Sequence, residues 1–265
     1  MKRYGVLGPA APEAGWVPAP RYLLRRARIL RQVRAMPRGE VLEVGCGAGV
    51  LLHELDELGF HCSALERSLD ARHVAQALAM AAGRDIRIHE HADDAWAGRY
   101  GLVMAFEVLE HIEDDLGALR EWRQWLQSGG HLLLSVPSHM DKWNPSDVWA
   151  GHFRRYERKS LVELLHRAGF EPERVECYGF PLANLAERVR AAKYAPEVDE
   201  RTDITPAGRQ ANSDRSGIDR RHVMAWFPWL ASPFGQLAML GAEMMQRPFL
   251  STEMGNGYLV RARAR

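Results

Sequence analysis

The chain has 265 residues, 46% of them hydrophobic, and its 35 Lys and Arg against 34 Asp and Glu leave a formal charge of +1. That length suits one large α/β domain, or one domain with an appended region, and the charge balance calls for no polyanionic partner. Three cysteines, Cys46, Cys62 and Cys177, form no Cys-x-x-Cys pair and cannot complete a disulfide set, which argues against a zinc or dithiol redox motif and suits a reducing cytoplasm.

Residues 1–37 read as an irregular arm followed by a basic amphipathic helix. The arm is rich in Pro and Gly and has no apolar run of signal-peptide length. From 21 to 34, Leu23, Ala27, Leu30 and Val33 recur at helical spacing and predict a helix docked by its apolar stripe. Arg21, Arg25, Arg26, Arg28, Arg31 and Arg34 are then expected on a solvated face, with RNA or a membrane surface as the other uses for such a charge.

The run Val41-Leu42-Glu43-Val44-Gly45-Cys46-Gly47-Ala48-Gly49 sets an apolar strand against a glycine-spaced turn, with a helix beginning near Gly49. Its spacing is Gly-x-Gly-x-Gly, whereas a nicotinamide dinucleotide fingerprint places the third glycine one residue later. The run resembles motif I of the class I S-adenosylmethionine-dependent methyltransferases. That resemblance implies a Rossmann-like sheet of seven strands, mostly parallel, with helices on both faces and an antiparallel closing strand. It also implies that Glu43, Gly45, Cys46, Gly47 and Gly49 face the cofactor, with Glu43 toward its methionine end.

A second strand over Cys62 to Leu65 ends at Glu66, followed by Arg67. An acidic residue about 20 positions past the glycine turn can accept from both ribose hydroxyls. An alanine-rich helix over 69–82 and a third strand over 85–89 lead to Asp93 and Asp94, in a loop similar to the family's adenine-binding segment, where Asp93 is the expected contact and Asp94 the alternative. Tyr100 to Phe106 is the fourth strand, and Phe106-Glu107-Val108-Leu109-Glu110-His111 resembles the post-strand motif of a branch acting on small molecules, quinone-pathway enzymes among them. Phe106, Glu107 and His111 are thereby implied as cofactor contacts. The Asn/Asp-Pro-Pro-Tyr motif of adenine-specific DNA and glutamine-type protein methyltransferases is absent, so DNA is not an expected substrate.

A helix over 116–126, a fifth strand entering at Gly129 and Gly130, a helix over 161–168 and a sixth strand over 174–178 complete a core spanning residues 38–180. Residues 181–265 belong to the same domain. They comprise a helix over 182–195, a polar insertion over 196–221 that suits a mobile lid, an apolar stretch over 223–245, and a closing strand over 257–262. The apolar stretch is interrupted by Pro228, Pro233, Gly235, Gln236 and Glu243. It therefore reads as a buried or lid helix packing Trp226, Trp229 and Phe234 inward, not as a membrane span; contact with a membrane surface is the other option.

The implied reaction is in-line transfer of the sulfonium methyl to a small, lipophilic or anionic acceptor, leaving S-adenosylhomocysteine, and it demands no metal. Alignment and desolvation supply most of the catalysis, and a hydroxyl or carbon acid acceptor also needs a proton removed. His139 and His152 are the candidate bases and His111 a third possibility. Trp143, Asp147, His152, Arg155 and Tyr156 are the candidate acceptor contacts; Asp147 orients a histidine or pairs with Arg155, while Arg154 and Arg155 suit an anionic group. A catalytically silent scaffold and an RNA methyltransferase are the competing readings.

Overall fold

The computed structural model describes residues 1–201, 205, 208, 212 and 221–265. Its arm is more ordered than the Pro and Gly content suggests. Strand β1 (Lys2–Arg3) pairs antiparallel with β2 (Pro9–Ala10), and Leu7, Ala10, Ala11, Trp16 and Val17 are buried. Helix α1 (Pro20–Val33) starts on Pro20, whose missing N–H is one the helix could not satisfy anyway.

The arginines of α1 depart from the expected solvated face. Arg26 and Arg28 are buried and Arg21 and Arg25 half-buried, leaving Arg31 and Arg34 exposed. Each inward guanidinium meets a carboxylate: Arg26 meets Glu54, Arg21 and Arg25 share Glu107, and Arg28 grips Glu176 in two bonds of 2.9 Å. Charge can turn inward here because a matched counter-charge waits in planar two-bond geometry. Arg31 and Arg34 are left as the exposed part of that basic stripe.

Strand β3 (Glu40–Val44) leads through α2 (Val50–Glu57) to β4 (His61–Leu65), and through α3 (Leu69–Ala81) to β5 (Arg87–His89). Then come β6 (Tyr100–Phe106), α4 (Asp115–Trp125), β7 (Leu126–Pro137), α5 (Pro145–Ala150), α6 (Arg158–Arg167) and β8 (Phe170–Tyr178). Helices α7 (Leu182–Arg201), α8 (Arg221–Ala231) and α9 (Pro233–Gln246) precede β9 (Gly257–Ala264). The sheet order is β5-β4-β3-β6-β7-β9-β8, parallel except that β9 runs antiparallel to both neighbours. This is the seven-stranded, mostly parallel sheet with an antiparallel closing strand that the motifs imply.

Alternation along the buried strands supplies two cores. Leu42, Val44, Val103 and Ala105 pack toward α4 and α6, while Val41, Leu102 and Met104 pack toward α1 and α2. The chain crosses from β5 on one side of β3 to β6 on the other, and a crevice opens where the order reverses, at the carboxyl ends of β3 and β6.

Two C-terminal expectations need correction. Helix α7 passes through Pro196 to Arg201, beyond the expected end at 195, because Tyr194 and Val198 pack on Trp149 and Ala150. Most of the 196–221 insertion lies outside the described residues. The 223–245 stretch is two helices, broken where Ser232 caps α9 through a 3.2 Å bond from Gly235 N–H. Its large aromatics point outward: Trp226 is 71%, Trp229 57% and Phe234 81% exposed. Phe227, Leu230 and Met239, on the other face, fill the space against the arm. No helix among the described residues is long and apolar enough to cross a membrane.

Candidate active site

The crevice is the mouth of a cavity of about 1250 Å³. That exceeds the roughly 300–1,000 Å³ of ordinary ligand pockets and leaves room for two molecules side by side. Gly45, Cys46, Gly47 and Ala48 form one wall. Gly45 must be glycine: its φ is +68°, and a Cβ there would stand 2.5 Å from Val108 Cγ2. Gly49 does not line the cavity; it takes the left-handed cap position that starts α2.

Two carboxylates face this wall. Glu66 accepts from Gly47 N–H at 2.7 Å and from Ser68 N–H at 2.9 Å, so it locks the turn to the end of β4. A carboxylate held in this place, at the end of the strand beside the glycine turn, suits a pair of vicinal hydroxyls. Glu43 is buried, and its Oε2 has no hydrogen-bond partner. Burial raises its pKa to about 8, partly offset by Arg25 and reinforced by Glu66. An orphaned buried carboxylate at a ligand wall is what a ligand ammonium would satisfy. Arg67 and Phe106 also line the space, whereas Asp93 and Asp94 do not. Asp93 instead accepts from Ala95 N–H at 2.9 Å, capping its own turn, and Ala92 is what that loop offers the cavity.

Arg21 and Arg25 of α1 line the cavity opposite, and the pattern that reveals them is their four-residue spacing on one helix face. Both contact Glu107, Arg21 at 2.8 Å and Arg25 at 3.1 Å, and both keep a buried Nε without a partner. Glu107 follows β6 with φ at +59°, an uncommon backbone for a side chain with a Cβ. Burial disfavours its charge, yet Arg21, Arg25 and hydrogen bonds from Tyr178 and Ser135 outweigh that and bring its pKa down to about 2. Glu107 is therefore an anchor for the two arginines.

The other end of the cavity is apolar and aromatic, with Trp149, Phe153, Tyr194, Leu185, Val189 and Trp226 in its wall. Trp149 stacks on Tyr194 at 4.2 Å. His111 and His152 meet here edge to face at 4.7 Å and both line the space. His152 Nδ1 lies 2.9 Å from Asp147 Oδ1, and Asp147 is gripped in turn by Arg155 at 2.7 Å. Burial opposes the Asp147 charge, but its bonds with His152 and Arg155 lower its pKa to about 2. Burial holds His152 below its usual value despite Asp147, and burial with His152 nearby depresses His111 to about 3.

Asp147 thus does both things expected of it, orienting a histidine and pairing with Arg155. The remaining acceptor-side candidates stand apart from the cavity. Arg155 is committed to Asp147 and Glu187, and Arg154 to Asp115 at 2.6 Å, so neither is available to an anionic substrate. Tyr156 is buried and donates to Asp115 at 3.0 Å, and Trp143 does not reach the wall. His139 also lies off the cavity, with Nδ1 3.5 Å from Glu157 and Nε2 3.9 Å from Cys177 Sγ.

A doubly wound sheet with a glycine turn and two carboxylates at its switch point defines an α/β fold of the nucleotide-binding kind. The chain belongs to the methyltransferase domain family, which it matches over residues 20–175. That match takes in the glycine turn and the switch point between β3 and β6. Curated relatives include ubiquinone biosynthesis O-methyltransferases of Vibrio parahaemolyticus, 30% identical over 43% of this chain and 50% of the relative, and of Escherichia coli, 29% identical over 53% and 61%. The chain thus spans about half to three fifths of the length of those relatives.

Solved structures establish the fold. The chain resembles phosphoethanolamine N-methyltransferase 2 of Haemonchus contortus in complex with S-adenosyl-L-methionine, with a TM-score of 0.55 at 15% identity over 91% of this chain and 52% of that one. It resembles YcgJ of Bacillus subtilis with a TM-score of 0.56 at 13% identity over 91% and 97%.

Proposed function

We propose that the chain methylates a hydroxyl oxygen on a small, lipophilic, ring-bearing acceptor. The observation that carries this reading is the two-ended cavity: carboxylates and a glycine turn at one end, an aromatic wall with the Asp147-oriented His152 at the other. S-adenosylmethionine supplies an activated methyl on a sulfonium whose departure leaves a neutral thioether. Glu66 suits its ribose, Glu43 its ammonium, and Arg25 or Arg21 its carboxylate through the unpartnered Nε atoms. Stacked Trp149 and Tyr194, with Phe153, offer flat surface to a ring. Activation of the acceptor hydroxyl centres on His152, which lines the cavity and whose Nδ1 is held by Asp147. The relatives named for ubiquinone biosynthesis O-methylation favour oxygen as the acceptor atom and a quinone precursor as the class to try first.

The lipophilic side of this reading is supported by the cavity rim. Leu185, Val189 and Trp226 line the cavity yet are 61%, 67% and 71% exposed, and the outward face of α8 and α9 continues that apolar surface with Trp229, Phe234 and Leu237. A face of this kind suits a membrane surface from which an acceptor with an apolar tail passes to the site. The test is product formation from hydroxylated quinone precursors with and without an isoprenoid tail, read by mass spectrometry for the methylated atom. Cofactor binding with no methylated product across hydroxyl, amine and carbon acceptors would favour a silent binding protein.

A further inference from the structure

Helix α7 brings a cation to the cavity wall. Ala186, Arg190 and Tyr194 recur every four residues on one face of the helix, and all three line the space, with Tyr194 stacked on Trp149 at 4.2 Å. Arg190 therefore belongs to the aromatic end. Among the described residues no carboxylate oxygen comes within 4.0 Å of its guanidinium. Arg190 Nη2 donates instead to Ser146 Oγ at 3.3 Å, and that hydroxyl donates in turn to Asn144 Oδ1 at 2.7 Å. This chain of bonds positions the guanidinium without cancelling its charge.

The nearby carboxylates are spoken for. Asp147 and Glu187 are close enough for their charges to act on Arg190, yet Arg155 grips both of them. Glu187 also accepts from Asn256 at 3.0 Å and from Asn144 at 3.2 Å. Burial, with the like charge of Arg21 second, lowers the pKa of Arg190. Arg21 and Arg25 differ from it, because they share Glu107. A guanidinium held among apolar side chains without a counter-ion is costly, and an anion entering the cavity relieves that cost. The charge of Arg190 also reaches His152, whose protonated form it disfavours. Candidate base, cation and aromatic stack thus border one space.

We propose that Arg190 binds a carboxylate carried by the acceptor, which makes the acceptor an aromatic hydroxy acid. Its ring lies against Trp149 and Tyr194, its hydroxyl is turned toward His152, and its carboxylate meets the guanidinium fork. This names a substrate class for the O-methylation reading and rests on that reading for the hydroxyl. The anionic role expected of Arg154 and Arg155 falls to Arg190 instead. The carboxylate of S-adenosylmethionine is the other source of the same chemistry, but Arg25, whose charge acts on Glu43 at the donor end, is placed for that one.

The test compares catechol with its carboxylate, protocatechuate, first by calorimetry on full-length protein saturated with S-adenosylhomocysteine and then as acceptors with S-adenosylmethionine. The expected result is tighter binding of protocatechuate by about 10–100-fold, the worth of a charged hydrogen-bonded contact. That preference should collapse in Arg190→Gln and survive in part in Arg190→Lys, which keeps the charge and loses the fork. S-adenosylhomocysteine affinity should stay at the wild-type value in both variants, which also shows them folded. If the glutamine variant does not fold, the wild-type preference and its reduction in Arg190→Lys decide. Equal binding of the two ligands by the wild type, no saturable binding of protocatechuate, or a preference undiminished by substitution overturns the subsite. Weakened S-adenosylhomocysteine in a variant that melts like the wild type and keeps the preference also overturns it, and assigns Arg190 to the cofactor's carboxylate. A preference for protocatechuate with no methyl transferred to either ligand supports the subsite and removes the O-methylation reading; methylation of both with equal efficiency does the reverse.

Discussion

Glu43 offers the sharpest test of how the cofactor end works. Without ligand its carboxyl has a pKa of about 8, raised from 4.5 mainly by burial. An ammonium delivered to it favours the ionised form, so binding expels a proton at any pH below about 8. Each pH unit below that value then weakens binding up to tenfold, about 1.4 kcal/mol, until the pKa of the complex is reached. Titration of S-adenosylhomocysteine by calorimetry between about pH 5.5 and 7.5, a window that keeps the cofactor's own α-amino group mostly protonated, should show affinity rising with pH and buffer-dependent proton release. Glu43→Gln should abolish both. The sign for stability is opposite: a carboxyl with a raised folded pKa holds its proton better in the folded state, so its contribution falls as pH climbs from about 4.5 toward 8. Ligand-free Glu43→Gln should therefore melt higher than wild type at pH 8, by an amount on the order of a few kcal/mol. Equal pH slopes for the two proteins would refute the contact between Glu43 and the ammonium.

The arginine pair makes a separate prediction: Arg25→Leu should weaken S-adenosylhomocysteine about tenfold through a lost charged hydrogen bond, measured by calorimetry, and should free Glu107 to titrate upward. Arg28→Ala leaves Glu176 buried with the exposed Arg174 as its remaining close partner, and chemical denaturation should show a loss of about 3 kcal/mol with little change in cofactor affinity. Trp226→Ser combined with Phe234→Ser should reduce sedimentation with anionic vesicles and raise KM for a tailed acceptor, while leaving kcat on a short acceptor unchanged.

The donor half was legible in the sequence because a backbone constraint writes itself into residue identity. Gly45 and Gly47 sit at positive φ, and Glu66 needs its place at the end of the second strand. The succession of strands was legible too, since buried parallel strands read as continuous apolar runs. The acceptor half was less legible. Asp147, Arg155 and Tyr156 belong to one polar stretch with His152, yet Asp147 and Arg155 support the histidine while Tyr156 turns to Asp115, and nothing in local spacing distinguishes a supporting carboxylate from a contacting one. The helix arginines were read as solvated because their partners Glu54, Glu107 and Glu176 lie far along the chain. The aromatics of 226–234 were expected inward, but a neighbouring set, Phe227 and Leu230, took the buried face.

What the sequence determined by itself was the glycine turn, the acidic residues beside it and the sheet that holds them, because glycine geometry and strand hydrophobicity are local properties of the chain. Only the tertiary structure decided which charges pair, which histidines line the cavity, and that Glu110, His111 and His152 lie close together. Those outcomes depend on distances between segments that are remote in sequence, and pairing energies arise only once the fold has brought their partners together.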